Sequence, residues 1–385
     1  MIPAELEALL EPLERFEGIR RKAARLGNRL ADLSYANPYE GVHESVRTVL
    51  KETLEDERLL DLQYSPFGGQ TLVRRAVADA LRATHSLDFG WSDVVLTPGA
   101  MGALHLALRT AGNSGGEVIV PVPCWLDYPL YVLHAGLTPV TVRLRPPRFD
   151  LDPAAVEASV SNKTCALLLS HPANPTGRNY TSSELAELAA SIGRAESRHG
   201  CSVTLISDET HRDFAPLESY SSAAGRFERT LIVYSFGKYH FMQGQRIGYA
   251  AVSPKHPERK QVATEMTRWT RITGLCTPTS VMQRAVPRLL KLRHDTDWLS
   301  RSRERVVTEL LAAGHGVVEP DATLFVYVRN PTDRNDFDFV EQLVTRGVLV
   351  LPAPVFHHDG YFRLSLTGSQ QMLDRAIEVL SDLQA

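Results

Sequence analysis

The sequence predicts an α/β fold: a mostly parallel, seven-stranded sheet with helices on both faces, followed by a small α+β unit. Two observations lead there. Between about residues 90 and 250, short apolar runs alternate with longer segments of helical periodicity, and strands joined through helices lie parallel in a sheet covered on both sides. Glycine-rich and polar stretches fall at the ends of those apolar runs, where open α/β sheets place their ligand sites.

Taken in order, residues 4–26 set Leu6, Leu9, Leu10, Leu13, Phe16 and Ile19 at helical spacing, which predicts an amphipathic first helix. An irregular stretch, Leu33 to Val42 (LSYANPYEGV), leads to a second helix over about 43–59 and then to the turn-rich Tyr64-Ser-Pro-Phe-Gly-Gly. Strands are expected at Val94–Leu96, Glu117–Val120, Thr138–Val142, Ala166–Ser170, Ser202–Ser207, Thr230–Ser235 and Ile247–Val252, with helices such as Met101–Ala111 and Ser182–His199 between them. The proline-punctuated Thr277–Pro287 leads into a long helical stretch to about Ala313. Leu324–Val328, Phe337–Arg346, Val348–Leu351, Phe362–Leu366 and Met372–Leu383 read as the small α+β unit.

Composition narrows the function. The 385 residues carry a formal charge of −3 with no basic block, which argues against nucleic-acid binding; Lys255–Lys260 (KHPERK) reads as a solvated loop. Cys124, Cys165, Cys201 and Cys276 are widely spaced, so neither a disulfide framework nor a zinc site is expected, and a reducing compartment is. The His357–His358 pair lacks ligand-spaced partners and reads as surface, so no metal is expected. The first residues are charged throughout, without the apolar core of a signal peptide, and no run approaches the ~18 apolar residues that span a bilayer. The expectation is a soluble cytoplasmic protein.

Four motifs carry chemistry. Thr97-Pro-Gly-Ala-Met-Gly-Ala runs from a strand into a helix, where free N–H groups form an anion site suited to a phosphate, although glycine before a helix is by itself only a turn. Asn174-Pro-Thr-Gly follows an apolar strand and, alone, is a tight turn. Ser207-Asp-Glu-Thr-His211 closes another apolar strand; a carboxylate there is costly unless paired, and a pyridinium nitrogen or a helix N-cap role fits it equally. Finally, Ser235-Phe-Gly-Lys238 is followed by Gln243-Gly-Gln-Arg246-Ile-Gly. A lysine among glycines and apolar residues is tuned toward an amine nucleophile by desolvation, and Ser235 and Arg246 suit a phosphate.

The order and spacing of these motifs, SFGK-x5-G-x-R-x-G with SDE and NPTG upstream, resemble the class I/II aminotransferases, the fold-type-I pyridoxal-phosphate enzymes, over roughly residues 30–370. The resemblance implies pyridoxal 5'-phosphate held by Lys238 as a Schiff base, and an amino acid reacting through an external aldimine and quinonoid. It implies that Lys238 also shuttles the proton, Asp208 pairs with the ring nitrogen, Asn174 bonds the phenolic oxygen and Trp125 stacks on the ring. The phosphate cup would comprise the Ala100 and Met101 backbone, Ser235 and Arg246. Tyr64, in Y-x4-G-x4-R with Gly69 and Arg74, would reach the neighbouring subunit's phosphate, implying a homodimer with shared active sites. Arg363 would clamp the substrate α-carboxylate, with Ala36 and Asn174 facing the substrate. The implied division is an N-terminal arm, 1–45, that joins the small domain, a large cofactor-binding domain, 46–285, and a small domain, 286–385.

Some positions depart from that pattern. His211 stands where most members have a tyrosine; imidazole donates the same bond, with a charge that changes near neutral pH. The DE-x-H motif resembles the carbon–sulfur lyase branch of the fold. Ala36-Asn37-Pro38 replaces the usual Gly-x-Pro. Tyr239 and His240 add polar groups beside the lysine, either in the site or in packing around it, and Tyr35, Tyr39, Glu40 and Asp127 are candidates for the pocket wall. The leading expectation is an aminotransferase using an amino acid and a keto-acid co-substrate. The alternative is a β- or γ-elimination, replacement or cyclisation enzyme. A cofactor-sensing regulator would carry a DNA-binding module, and the residues before 30 lack a helix-turn-helix pattern.

Overall fold

Strands β1 (Val94–Thr97), β2 (Glu117–Val122), β3 (Thr138–Arg143), β4 (Thr164–Ser170), β5 (Thr204–Asp208), β6 (Thr230–Ser235) and β7 (Gly248–Val252) form one sheet in the order β1-β7-β6-β5-β4-β2-β3. The computed structural model describes residues 2–39, 42–55, 62–216 and 219–383. Neighbours from β6 through β3 pair in parallel, and β7 alone runs antiparallel to both β6 and β1. The central strands are apolar on both faces because both are covered. Leu167, Leu169 and Leu205 enter one core, and Ala166, Leu168 and Ile206 enter the other. Full burial of each leucine or isoleucine contributes about 1.5–3 kcal/mol, so these strands make a rigid base for the loops at their ends.

Helix Ser182–His199 shows how local sequence sets the cover. Thr181 accepts from the Glu184 N–H while the Glu184 carboxylate accepts from the Thr181 N–H, and Gly200 ends the helix at φ 64°. Between those ends Leu185, Leu188, Ile192 and Ala195 form the buried stripe.

A second sheet, β8 (Val317–Val318), β9 (Phe325–Arg329), β10 (Leu351–Pro352) and β11 (Tyr361–Ser365), is antiparallel in the order β10-β11-β9-β8. The N-terminal arm is stitched to it: Ala31–Asp32 pairs in parallel with Val348–Leu349, and Phe16 and Ile19 of the first helix, Ala4–Ala23, pack in the same core.

Three expectations change. The long helical stretch to Ala313 is two helices, Ser280–Leu289 and Asp297–Ala312: Pro287 removes a donor near the end of the first, and Asp295 accepts from the Asp297 N–H at 2.8 Å to start the second. KHPERK is only partly a solvated loop, since His256 is buried and Arg259 begins the helix Arg259–Ile272 while pairing with Asp93. The His357–His358 pair is not surface. His357 Nε2 donates to the Leu126 carbonyl at 2.9 Å, and His358 Nδ1 lies 3.2 Å from the Tyr327 hydroxyl, so both rings are engaged and partly buried. The second helix is described over Glu44–Glu55; its expected end, like Glu40, lies outside the described residues. Among the described residues no helix is long and apolar enough to cross a membrane, and no cluster of three or more His, Cys, Asp or Glu is placed to hold a metal.

Candidate active site

The carboxyl ends of β4, β5 and β6 and the start of helix Gly99–Ala111 enclose a cavity of about 220 Å³. Its wall includes Ala100, Met101, Trp125, Asn174, Asp208, His211, Ser235, Lys238 and Arg246, residues spread over 147 positions of the chain and brought together by the parallel sheet. Lys238 sits in the single turn Phe236–Tyr239, which the Ser235 hydroxyl caps by accepting from the Gly237 N–H. Burial, together with the charges of Arg363 and Arg246, pulls its ammonium down to about 8 against the opposing pull of Asp208. A sizeable fraction of the amine is therefore neutral near pH 7.

Asp208 ends β5. Its carboxylate accepts from the Tyr128 hydroxyl at 2.8 Å and from the Thr210 N–H at 3.0 Å. Burial nevertheless raises its pKa above the usual carboxylate range, with those hydrogen bonds opposing the rise. A cationic ring nitrogen is the kind of partner that restores the ionised form. At the other end of the cavity, Arg246 occupies a left-handed conformation (φ 36°), and its guanidinium lies across Gly99, where a Cβ would be 2.7 Å from Nη2. Helix N–H groups, Ser235 and Arg246 thus form an anion cradle.

Arg363, on β11, is fully enclosed. Its Nη1 donates to Asn174 Oδ1 at 2.9 Å and its Nη2 to the Ser34 carbonyl at 2.8 Å, while Nε has no hydrogen-bond partner among the described residues. Its Cζ lies 3.7 Å from the Phe325 ring centroid and 4.9 Å from that of Phe356. Burial lowers its pKa to about 9, which keeps it cationic at neutral pH. His211 is buried, with Nδ1 unpartnered among the described residues. Burial first, and then the positive Lys238 and Arg363, hold its pKa well below 6.5, so the expected change of charge near neutral pH does not occur.

The remaining candidates lie elsewhere. Tyr64 is 98% exposed and outside the cavity. Ala36 is buried and offers its carbonyl to Gln243 Nε2 at 2.8 Å. Tyr35 donates to Glu17, Tyr39 is half-exposed, and Asp127 accepts from Tyr131. Tyr239 and His240 are engaged in packing: the Tyr239 hydroxyl accepts from the His294 N–H, and His240 Nδ1 lies 2.8 Å from His294 Nε2. Sequence reasoning gave no role to Tyr128, Ser170, Thr210 or Gln243, all of which line the cavity. Tyr128 had a local signal, three positions after Trp125 at a strand end, but its partner Asp208 is 80 residues away.

Fold and site define a pyridoxal-phosphate enzyme of the α/β type: a desolvated lysine, a buried carboxyl suited to a ring nitrogen, and an anion cradle share one cavity. The family model for class I and II aminotransferases matches residues 32–380, and the chain belongs to that family. It is 28% identical over 367 residues to an aspartate/prephenate aminotransferase of Thermus thermophilus, covering 92% of this chain and 91% of that protein. An aromatic-amino-acid aminotransferase of Thermococcus litoralis is 27% identical over 395 residues, with 98% and 94% covered. Among solved structures, Thermus thermophilus aspartate aminotransferase superposes with a TM-score of 0.86 at 26% identity, covering 100% of this chain and 97% of that one. An amino transferase of Eubacterium rectale gives 0.90 at 23% identity, covering 100% and 98%, and shows the shared fold.

Proposed function

We propose that this aminotransferase exchanges the amino group of an amino acid with a keto acid in the Lys238 cavity. The observation that carries the reading is the buried Lys238 amine, its pKa pulled down to about 8, in one cavity with Asp208, Asn174 and the anion cradle. Bound pyridoxal 5'-phosphate supplies an electron sink conjugated to the substrate nitrogen. Asp208 keeps a proton on the ring nitrogen. Asn174, whose Oδ1 is engaged by Arg363, would donate through its amide NH2 to the phenolic oxygen. Ser235, Arg246 and the Ala100 and Met101 N–H groups bind the phosphate. Arg363, backed by Phe325 and Phe356, holds the α-carboxylate and aims the Cα–H bond at the Lys238 amine, which takes that proton as general base. Trp125 closes one face and excludes water, and neutral His211 serves as hydrogen-bond partner rather than charge.

We assign the three segments 1–45, 46–285 and 286–385 as arm, large domain and small domain, and place the enzyme in the cytoplasm. The exposed Tyr64 supports a homodimer in which it serves the neighbouring cavity. The test is Lys238→Ala: keto-acid formation from an amino-acid panel should fall by about 10²–10⁴-fold. Full turnover by that variant, or release of ammonia or thiol by the native enzyme in place of amino-group transfer, overturns the reading and returns attention to the DE-x-H lyase pattern.

A further inference from the structure

We propose that Asp321 is a positioning residue for the substrate: through Arg178 it registers the C-terminal sheet, and with it Arg363, on the loop that carries Asn174. The proposal rests on Arg363 as the carboxylate clamp.

Arg178 is 5% exposed and faces three carboxylates. Asp150, 3.0 Å from Nε, and Glu184, 3.0 Å from Nη2, belong to the large-sheet part of the chain. The third, Asp321, lies in the turn that enters β9; it accepts from Arg178 Nη1 and, at 3.1 Å, from the Asn179 N–H. The backbones meet at the same place, where the Ala322 N–H donates to the Gly177 carbonyl at 2.9 Å. Gly177, at φ +76°, has no room for a side chain because Pro320 rests on it. The last residue of Asn174-Pro-Thr-Gly is thus the seat of the C-terminal unit.

These contacts close a ring. From Asp321 the chain runs four residues to Phe325, whose ring supports the Arg363 guanidinium at 3.7 Å. Arg363 reaches Asn174 at 2.9 Å, and Asn174 is four residues from Arg178 in one loop. The ring is hydrogen-bonded at two places: Arg363 to Asn174, and the 177–179 segment, through the Arg178 side chain and the Asn179 and Gly177 backbone, to Asp321 and Ala322. A planar fork must be held within about 0.5 Å to be productive, so loosening the second joint degrades the first. Removing the Asp321 charge leaves Arg178 paired with Asp150 and Glu184, so no buried charge is stranded and the variant folds.

The test compares Asp321→Asn, Asp321→Glu and Arg363→Lys in the holoenzyme. Asp321→Asn should raise KM for the amino acid by about 5–20-fold with kcat within about 2-fold, the signature of lost uniform binding. Its cofactor dissociation constant should match the native value, amide exchange over residues 320–326 should quicken, and Asp321→Glu should restore KM. Native KM in Asp321→Asn while Arg363→Lys raises it overturns the positioning role and leaves the clamp standing. Native KM in Arg363→Lys overturns the clamp and the proposal together. Cofactor loss in Asp321→Asn marks general loosening and also overturns it.

Discussion

Asp208 and Glu209 are consecutive, both buried at the end of one strand, and their carboxyl groups are shifted in opposite directions. Asp208 faces the cavity and is held by a hydroxyl and a backbone N–H, so burial wins and its pKa rises. Glu209 points away from it. Burial pushes that carboxyl up too, but contacts with His85 at 3.3 Å and Arg212 at 3.2 Å, and a hydrogen bond from Ser222 at 2.7 Å, outweigh it. Equal burial therefore does not mean equal role. One carboxyl is compensated by the protein and belongs to stability; its neighbour awaits compensation from a ligand and belongs to chemistry.

Substitution should separate the two. Glu209→Gln should cost about 1–3 kcal/mol in urea unfolding, because it removes the buried charge that His85, Arg212 and Ser222 share, while turnover per folded molecule stays near native. A loss of turnover without a loss of stability would reverse the assignment. Asp208→Asn should lower turnover by about 10²–10³-fold, as for loss of one preorganised electrostatic group, yet leave the cofactor-free protein at least as stable as native.

The pH dependence sharpens this. Asp208 has a raised folded pKa, so its ionisation opposes folding as pH rises above the unfolded value of about 3.9. The Asp208→Asn cofactor-free protein should thus gain on the native one in melting temperature as pH rises above about 4. Glu209 has a depressed folded pKa; its contribution is complete above about 4.3 and is lost as pH falls through the lower folded value. Parallel melting curves for native and Asp208→Asn would show that Asp208 is compensated after all. The smallest effect concerns Lys238. Its trapping by an aldehyde and borohydride in the cofactor-free protein should quicken up to about pH 8 and then level, following the neutral amine. A rate still climbing at pH 10 would mean an unperturbed lysine.

Much of this was legible in the linear order of residues. Lys238, Asp208, Asn174 and Arg246 each end or follow an apolar strand, and strand ends are readable from local patterning. Tyr128 and Gln243 were not legible, because their roles come from contacts with Asp208 and Ala36, 80 and 207 residues away. His357 misled for the same reason: a loop histidine looks solvated until its partner, the Leu126 carbonyl, is placed beside it. The expected titration of His211 is suppressed because sequence shows the imidazole but neither its burial nor the two cations that add to the effect.

The crossing of Gly99 and Gly248 has a consequence for inheritance. A Cβ on Gly248 would lie 2.8 Å from the Gly99 carbonyl carbon and would collide with the Tyr234 carbonyl. The backbone that begins the anion cradle and the backbone that ends the lysine motif touch with no side chain between them. Neither glycine can drift alone, so this wall of the cavity is closed to gradual change. Any diversification of substrate choice in descendants of this chain has to be recruited from residues away from this backbone crossing.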